Sequence, residues 1–471
     1  MRNLRVVLWA LGIVGSAVFG TANAQPVECC EPWDNGRFDE RNAQTSQNGF
    51  GEDYRRFGRI TADDFWLCEG NIYYIRTIRG TMLTNSVVPK ADVVILSDCD
   101  GLPSNEDPLA YAYSVPPTPM GVAPCTDGVV TISETGRTTV DGLRVIEVEA
   151  TFTGLWLRGG AYWVSFIGFS GTGDADEEFF WGTSGNQVVK GRPGQFFDTN
   201  ENEPQWVSID EICCGCTDFN FCIEGDDCKI LVDNIGAGGA YSTSNYGSSI
   251  NNNNIAQDTR SADDIVVKDC ADQRLCYFEG YLFSNCNPPR ARLDVYDNAC
   301  KLPATFSRPT TFEPTCIEDT GETITIDGRR LHIYLVRFWD LRAIDGSPFI
   351  LQRNKNYWFS IYGLGTGAQN QRAYFAGSDR CDFQCSYRFN QGAISGRGVG
   401  LTAALWKPID DIAGRSFDFA FMVATEPVAE DGDLPPAGTG PAACASDINH
   451  DGYVTLQDLF DYLQHFFTGC P

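Results

Sequence analysis

The chain is dense in short runs that alternate apolar and polar side chains. Ile72-Tyr73-Tyr74-Ile75-Arg76-Thr77-Ile78, Asp92-Val93-Val94-Ile95-Leu96, Leu143 to Phe152 and Tyr162-Trp163-Val164-Ser165-Phe166-Ile167 are rich in β-branched and aromatic residues. Arg144, Ile146 and Val148 fall at period two, the spacing of side chains on one face of a strand. Gly, Pro, Asn and Asp fill the gaps between runs. No 12-residue stretch from about Cys29 to Thr425 carries a convincing 3.6-residue period. The pattern predicts a mainly β chain, its many short strands packed as a β-sandwich of jelly-roll kind.

The pattern then repeats. Thr61-Ala62-Asp63-Asp64-Phe65 returns as Ser261-Ala262-Asp263-Asp264-Ile265. Ala161-Tyr162-Trp163-Val164-Ser165 returns as Asn356-Tyr357-Trp358-Phe359-Ser360, Trp206-x-x-Ile209-Asp210 as Trp406-x-x-Ile409-Asp410, and Asp218-Phe219 as Asp418-Phe419. The offset is near 200 residues at both ends, so the copies differ mainly by loop insertions. Two tandem sandwiches are expected, over residues 25–225 and 226–425.

The first 24 residues read differently. Arg2 and Arg5 precede an apolar run from Val6 to Phe19, and Ala22 and Ala24 supply the small residues of a cleavage site. This is the composition of a secretory signal peptide, which places the expected product outside the cell or on its surface. No later run approaches 18 apolar residues, so no membrane span is expected. The net charge of −27 and pI near 4.4 disfavour a nucleic-acid partner, which needs Lys and Arg against phosphate.

The 19 cysteines then read as a disulfide framework, with an odd one left over. Zinc is the alternative for Cys213-Cys214-Gly-Cys216 and Cys381-x-x-x-Cys385, although disulfide formation competes with it and only three His residues are present. Cys99 and Cys125 match Cys300 and Cys316 between the copies. A pair kept in both copies points to Cys99–Cys125 and Cys300–Cys316 bonds. Cys29 and Cys30 are expected to join the Cys213, Cys214 and Cys216 group.

Residues 426–443 hold Glu426, Glu430, Asp431 and Asp433, no basic residue, and four prolines, among them Pro435, Pro436 and Pro441. Self-repulsion and proline predict an extended linker. Beyond it, residues 444–471 carry the most explicit chemistry. Asp447, Asn449 and Asp451 offer side-chain oxygens from alternate positions, Gly452 permits the turn, Tyr453 offers its carbonyl, Thr455 binds directly or through water, and Asp458 closes the shell. This is the spacing of an EF-hand loop for Ca2+. The apolar stripe Leu459, Phe460, Tyr462, Leu463, Phe466 and Phe467 predicts a following helix, and Cys444 and Cys470 bracket the module as an expected bond.

The stretch Asp447-x-Asn449-x-Asp451-Gly452-x-Val454-x-x-x-Asp458-Leu459 resembles one repeat of a type I dockerin. Dockerins carry two such repeats, and this tail has one; similar single tails end planctomycete-type secreted proteins. The resemblance implies a cohesin-like or cell-surface protein partner. The repeated (Ser/Thr)-Ala-Asp-Asp and Tyr-Trp-x-Ser patterns loosely resemble carbohydrate-binding-like jelly-roll domains, which implies a glycan ligand.

Catalytic signatures are sparse. None of His332, His450 and His465 starts a zinc-protease motif, and Gly168-Phe169-Ser170-Gly171-Thr172 fails as a nucleophile elbow at its last position. Asp174, Asp176, Glu177 and Glu178 form an acidic loop in the first copy alone, the one place for a pair of glycosidase acids. Asp63/Asp64 and Asp263/Asp264 either bond backbone amides at turns or hold a structural cation. Trp163, Trp358, Trp206 and Trp406 are duplicated and expected in the core, while Trp33, Trp66, Trp156, Trp181 and Trp339 belong to single copies and can line a glycan site or pack. The sequence thus favours a non-catalytic secreted protein that binds glycan or matrix, against a polysaccharide hydrolase or a purely structural surface protein.

Overall fold

The computed structural model describes residues 33–428 apart from loops, the longest being 49–57, 115–124, 185–190, 199–204, 236–241, 251–258, 365–372, 379–392, 397–404 and 409–417. The expected signal peptide, most of the linker, the calcium loop from Asp447 to Asp458, and the Cys29/Cys30, Cys213–Cys216, Cys300, Cys381/Cys385 and Cys444/Cys470 positions lie outside the described residues. What is described is mainly β, with one four-residue helix, Ile209–Ile212.

Seven strands organise the first repeat: β1 (Gly58–Thr84), β2 (Pro89–Cys99), β3 (Ala110–Tyr113), β4 (Asp127–Thr138), β5 (Arg144–Thr153), β6 (Trp156–Ser170) and β7 (Phe221–Asp233). Eight organise the second: β8 (Thr259–Val266), β9 (Gln273–Ser284), β10 (Arg290–Ala299), β11 (Thr310–Phe312), β12 (Cys316–Ile326), β13 (Arg329–Trp339), β14 (Asn356–Leu364) and β15 (Phe421–Pro427). Alternation on β5 is what the sequence predicts. Ile146, Val148, Ala150 and Phe152 enter the core, while Glu147, Thr151 and Thr153 are exposed.

The first repeat closes on itself. The order β1-β5-β4-β3-β2-β6 returns to β1, giving a six-strand barrel whose narrowest link is the parallel bridge of Tyr113 with Val129. The long strand β1 makes this possible. Its first half pairs with β6, its second half with β5, and a register shift between Leu67 and Ile72 bends it from one to the other. Phe65, Ile78, Ile95, Val148, Phe166 and Trp181 fill the interior with their neighbours.

The same position is broken in the second repeat. Residues 267–272 interrupt the strand, and β8 and β9 enter different sheets. β8, β14, β10 and β11 form one sheet, and β15, β9, β13 and β12 belong to the other. Phe278, Phe338, Phe359 and Phe421 pack between them, with the Phe278 and Phe359 rings stacked at 5.4 Å.

The copies share packing detail. Gly80 faces the Phe166 ring, where a Cβ would stand 2.8 Å from Cζ; its counterpart Gly280 faces Ile361, at 2.5 Å from Cδ1. In both places a bulky interior side chain occupies the space a Cβ would need, so only glycine fits without repacking.

The repeats are not separate beads. β7 pairs with β1 from Phe221 to Lys229, then with β15 from Lys229 to Asp233. A single antiparallel array results, β4-β5-β1-β7-β15-β9-β13-β12, whose second half repeats the order of the first in reverse. Laid flat, eight strands would put the edge strands roughly 34 Å apart. Instead Cys125, at the start of β4, and Cys316, at the start of β12, form a disulfide with Cα atoms 5.5 Å apart. The array therefore wraps round until its two edges meet. It encloses a third apolar cluster with Ile72, Trp156, Tyr277, Tyr281, Leu331 and Trp339.

This corrects the expected pairing. Cys125 and Cys316 are bonded to each other, and Cys99 is an exposed free thiol. Strand β3 stands between β2 and β4, so about 10 Å of two strand spacings separates Cys99's strand from that of Cys125. That exceeds the reach of a disulfide. A second bond, Cys228–Cys276, crosses the seam between the repeats.

Candidate functional site

The duplicated aspartates occupy successive positions on β1 and β8, so each pair points to opposite faces. Asp63 turns inward. Its Oδ2 accepts the Phe219 amide at 2.7 Å and the Asn35 side chain at 3.0 Å, and its Oδ1 accepts the Asp64 amide at 3.0 Å. Asp263 repeats the arrangement with the amides of Phe419 (2.7 Å) and Asp264 (3.0 Å). Burial pushes both inward carboxyls well above the usual range, reinforced by Asp218 and Asp64 in the first copy and by Asp418 and Asp264 in the second. Of the two roles open at the sequence level, this geometry is amide anchoring. One amide at each site belongs to the segment that leads into the closing strand, and the other to the next residue of the aspartate's own strand. The inner aspartate clips the Asp-Phe step of the last strand of each repeat to its first.

The outward aspartates differ. In the first repeat both oxygens of Asp64 face the Arg192 amide, at 3.0 and 3.1 Å, and Oδ2 also accepts Trp66 Nε1 at 3.0 Å. The Arg192 guanidinium reaches Asp98 Oδ1 at 2.6 Å and lies 5.4 Å from the centre of the Trp66 ring. Asp98 Oδ1 also accepts Trp163 Nε1 at 2.9 Å, and its Oδ2 accepts the Gly101 amide at 3.1 Å. Burial pushes Asp64 up to about 6, while the Trp66 hydrogen bond and then Arg192 oppose the rise. Trp66 is 41% exposed, so the network ends in an indole open to solvent.

The second repeat keeps the tryptophan and changes two of its neighbours. Trp358 Nε1 donates to Asn298 Oδ1 at 3.1 Å, with Asn298 in the place of Asp98 and Val266 in the place of Trp66. Asp264 Oδ1 has no hydrogen-bond partner among the described residues. Burial and then Asp418 push Asp264 up to about 8.

The remaining candidates scatter. Trp163, Trp358, Trp33 and Trp181 are buried, and Trp156 and Trp339 pack at the seam, where Trp156 meets Tyr277 at 4.7 Å. Trp206 packs partly buried behind Trp163, and the Trp406 side chain lies outside the described residues. Asp174 and Asp176 also lie outside them. Glu177 is described and half-buried, beside the exposed Glu178. Burial raises the Glu177 pKa, but hydrogen bonds from Ser170, Ser86 and Thr172 outweigh that and hold it below the usual carboxylate range, the reverse of what a general acid needs. His332 sits on β13, half exposed, 3.3 Å from Asp319.

Sequence reasoning missed Arg192 and the seam. Gly191-Arg192-Pro193-Gly194 carries a turn signal but nothing that pairs it with Asp64. The seam holds a half-buried ionic knot. Arg158 of the first repeat reaches Asp233 at 2.6 Å and Glu279 of the second at 2.8 Å, and Glu279 also accepts the Tyr277 hydroxyl at 2.7 Å. Among the described residues, the one group with its ligand atoms within 4.8 Å of one another is Cys228, Cys276 and Glu426, also at the seam.

Comparison with protein-family models, with curated proteins and with solved structures finds no match for this chain.

Proposed function

We propose that this is a secreted, non-catalytic protein in which two β repeats, one a closed barrel and the other a pair of facing sheets, are fused side by side, present a glycan-contact edge and are carried by the calcium-binding, dockerin-like tail. The observation that carries the reading is the solvent-facing Trp66 indole, ringed by Arg192, Asp64 and Asp98. An open aromatic face stacks on the apolar face of a sugar ring, and charged side chains held by each other and by backbone amides are placed to bond its hydroxyls. The second repeat has Val266 and Asn298 at these positions, so binding belongs to the first repeat and the second serves as its support.

The hydrolase alternative rests on the acidic loop, where hydrogen bonds hold the Glu177 carboxyl below the range a general acid needs. The tail's Asp447, Asn449, Asp451, Tyr453, Thr455 and Asp458 supply a calcium shell, and the partner it implies is a cohesin-like or cell-surface protein.

The test is a glycan array on the full chain, run beside its Trp66→Ala variant. Binding that survives in the parent and drops at least about tenfold in the variant supports the reading. Equal binding by both, or turnover of a polysaccharide by the parent, sinks it. Calcium titration of the full chain against Asp447→Ala and Asp451→Ala variants tests the tail separately.

A further inference from the structure

Three strands meet at the seam with β15 in the middle. Lys229 of β7 and Leu275 of β9 both pair with Thr425, and Arg274 pairs with Glu426. Cys228, Glu426 and Arg274 therefore fall in one row across the three strands, and Cys276 lies two residues beyond Arg274 on β9. Regular alternation would turn Cys276 and Tyr277 to opposite faces. A bulge between Leu275 and Tyr277 prevents it, and Cys276 and Tyr277 both join the seam cluster while Leu275 packs in the second repeat's core. The bulge is what aims Cys276 at Cys228.

Both sulfurs are buried, and Cys276 Sγ lies 4.0 Å from Glu426 Oε2. Arg274 Nε holds the Glu426 carboxylate at 2.6 Å. Four-coordinate zinc, at about 2.3 Å from sulfur, spaces its ligands about 3.8 Å apart. Ligand atoms within 4.8 Å of one another reach that spacing with small side-chain rotations.

We propose that the seam carries a latent metal site: once the Cys228–Cys276 bond is reduced, its two thiolates and the Glu426 carboxylate bind a soft divalent cation of the zinc class. A dithiol or phosphine supplies the two electrons, the S–S bond becomes two thiols, and the incoming cation displaces both thiol protons. Two thiolates, one carboxylate and a divalent ion leave one negative charge, which Arg274 offsets as it orients the carboxylate. Thiolate ligands select against calcium, so this site and the tail are chemically distinct. Metal and disulfide become two ways of closing the same seam, used in reducing and oxidising surroundings respectively.

The experiment uses the full chain, reduced anaerobically with a phosphine under native conditions and titrated with Co2+. Thiolate-to-cobalt charge transfer reports sulfur ligation. Reduced parent protein should take up one more equivalent than a Cys228→Ser/Cys276→Ser variant, and Glu426→Gln should weaken that equivalent at least about tenfold. The oxidised parent should lack it. Glu426→Gln leaves the disulfide able to form during folding, so it carries the test even if the serine variant misfolds. Cobalt uptake and affinity unchanged by Glu426→Gln, or a signal equally strong before reduction, overturns the proposal.

Discussion

The two repeats share one inner aspartate clip and differ in almost everything around the outer aspartate. Asp63 and Asp263 bond the amides of Phe219 and Phe419 at the same 2.7 Å. Their neighbours differ: Asp64 faces an arginine network, whereas Asp264 Oδ1 has no hydrogen-bond partner among the described residues. The strand that carries them runs unbroken for 27 residues in the first repeat and closes a barrel. In the second it stops at Val266, restarts at Gln273 and leaves two separate sheets. The lesson is one of division of labour. Groups that order the backbone are kept in both copies, because losing them leaves buried amides without acceptors. Groups at the solvent end of the same strand are free to diverge.

The largest test of this comparison is to cut the bond that joins equivalent positions. Cys125 and Cys316 stand at the same place in each copy, and their bond spans 191 residues of chain. The chain-entropy relation for a loop of that length gives about 5 kcal/mol. A Cys125→Ser/Cys316→Ser variant should lose stability on that scale in denaturant titration, and peptide mapping of the parent should recover the Cys125–Cys316 cross-link. Recovery of Cys99–Cys125 instead would break the pseudo-symmetric account of the seam.

Next in size is the shared clip. Asp63→Ala and Asp263→Ala each leave two buried amides without their acceptor, a loss of about 3 kcal/mol per site. The two variants should shift the denaturation midpoint by similar amounts. A shift at one site only would show that the duplicated geometry is not duplicated energy.

Much of this was legible in the chain. Apolar alternation located the strands, and the recurrence of Asp63-Asp64 and Asp263-Asp264 marked the residues that organise each copy. The disulfide pairing was not legible for a definite reason. Matching Cys125 with Cys316 and Cys99 with Cys300 is the same observation whether a bond forms within each copy or across a twofold between them. Only strand order decides, by placing β3 between Cys99's strand and that of Cys125. The seam was hidden for a related reason. Strand β7 reads as one alternating run, and nothing in Cys228-Lys229-Ile230-Leu231-Val232 says that it changes partners midway. Arg192 escaped because a turn arginine acquires meaning only from the carboxylates the fold brings to it.

The outer aspartates give a pH-resolved version of the comparison. A carboxyl whose folded-state pKa is raised keeps its proton longer in the folded chain than in the unfolded one. Stability is then fully present below the unfolded value and falls as pH rises through the folded value. For Asp64 the fall runs from about pH 4 to about 6, and for Asp264 from about 4 to about 8. An asparagine at either position removes its share of the fall. Relative to the parent, Asp64→Asn should gain stability up to about pH 6 and then level off. Asp264→Asn should go on gaining by about 2 kcal/mol in total between pH 6 and 8. Denaturant midpoints at pH 4, 6 and 8 read the difference. Parallel profiles for the two variants would erase the distinction between the copies.

The smallest effect is the sharpest, because it converts one repeat toward the other. Arg192 opposes the rise of Asp64 in two ways, through its backbone amide and through its guanidinium charge. Arg192→Ala keeps the amide and removes the charge. Asp64 should then titrate higher, toward the value of Asp264, by less than about one pH unit, since the exposed guanidinium acts through partly solvated surroundings. The Asp64 carboxyl carbon followed by NMR through a pH series measures this directly, and Asp264 in the same spectra is the internal control. If Asp64 moves and Asp264 does not, the outer network is what separates the copies. If neither moves, burial alone sets both carboxyls, and the difference between the repeats lies in the barrel rather than in its edge.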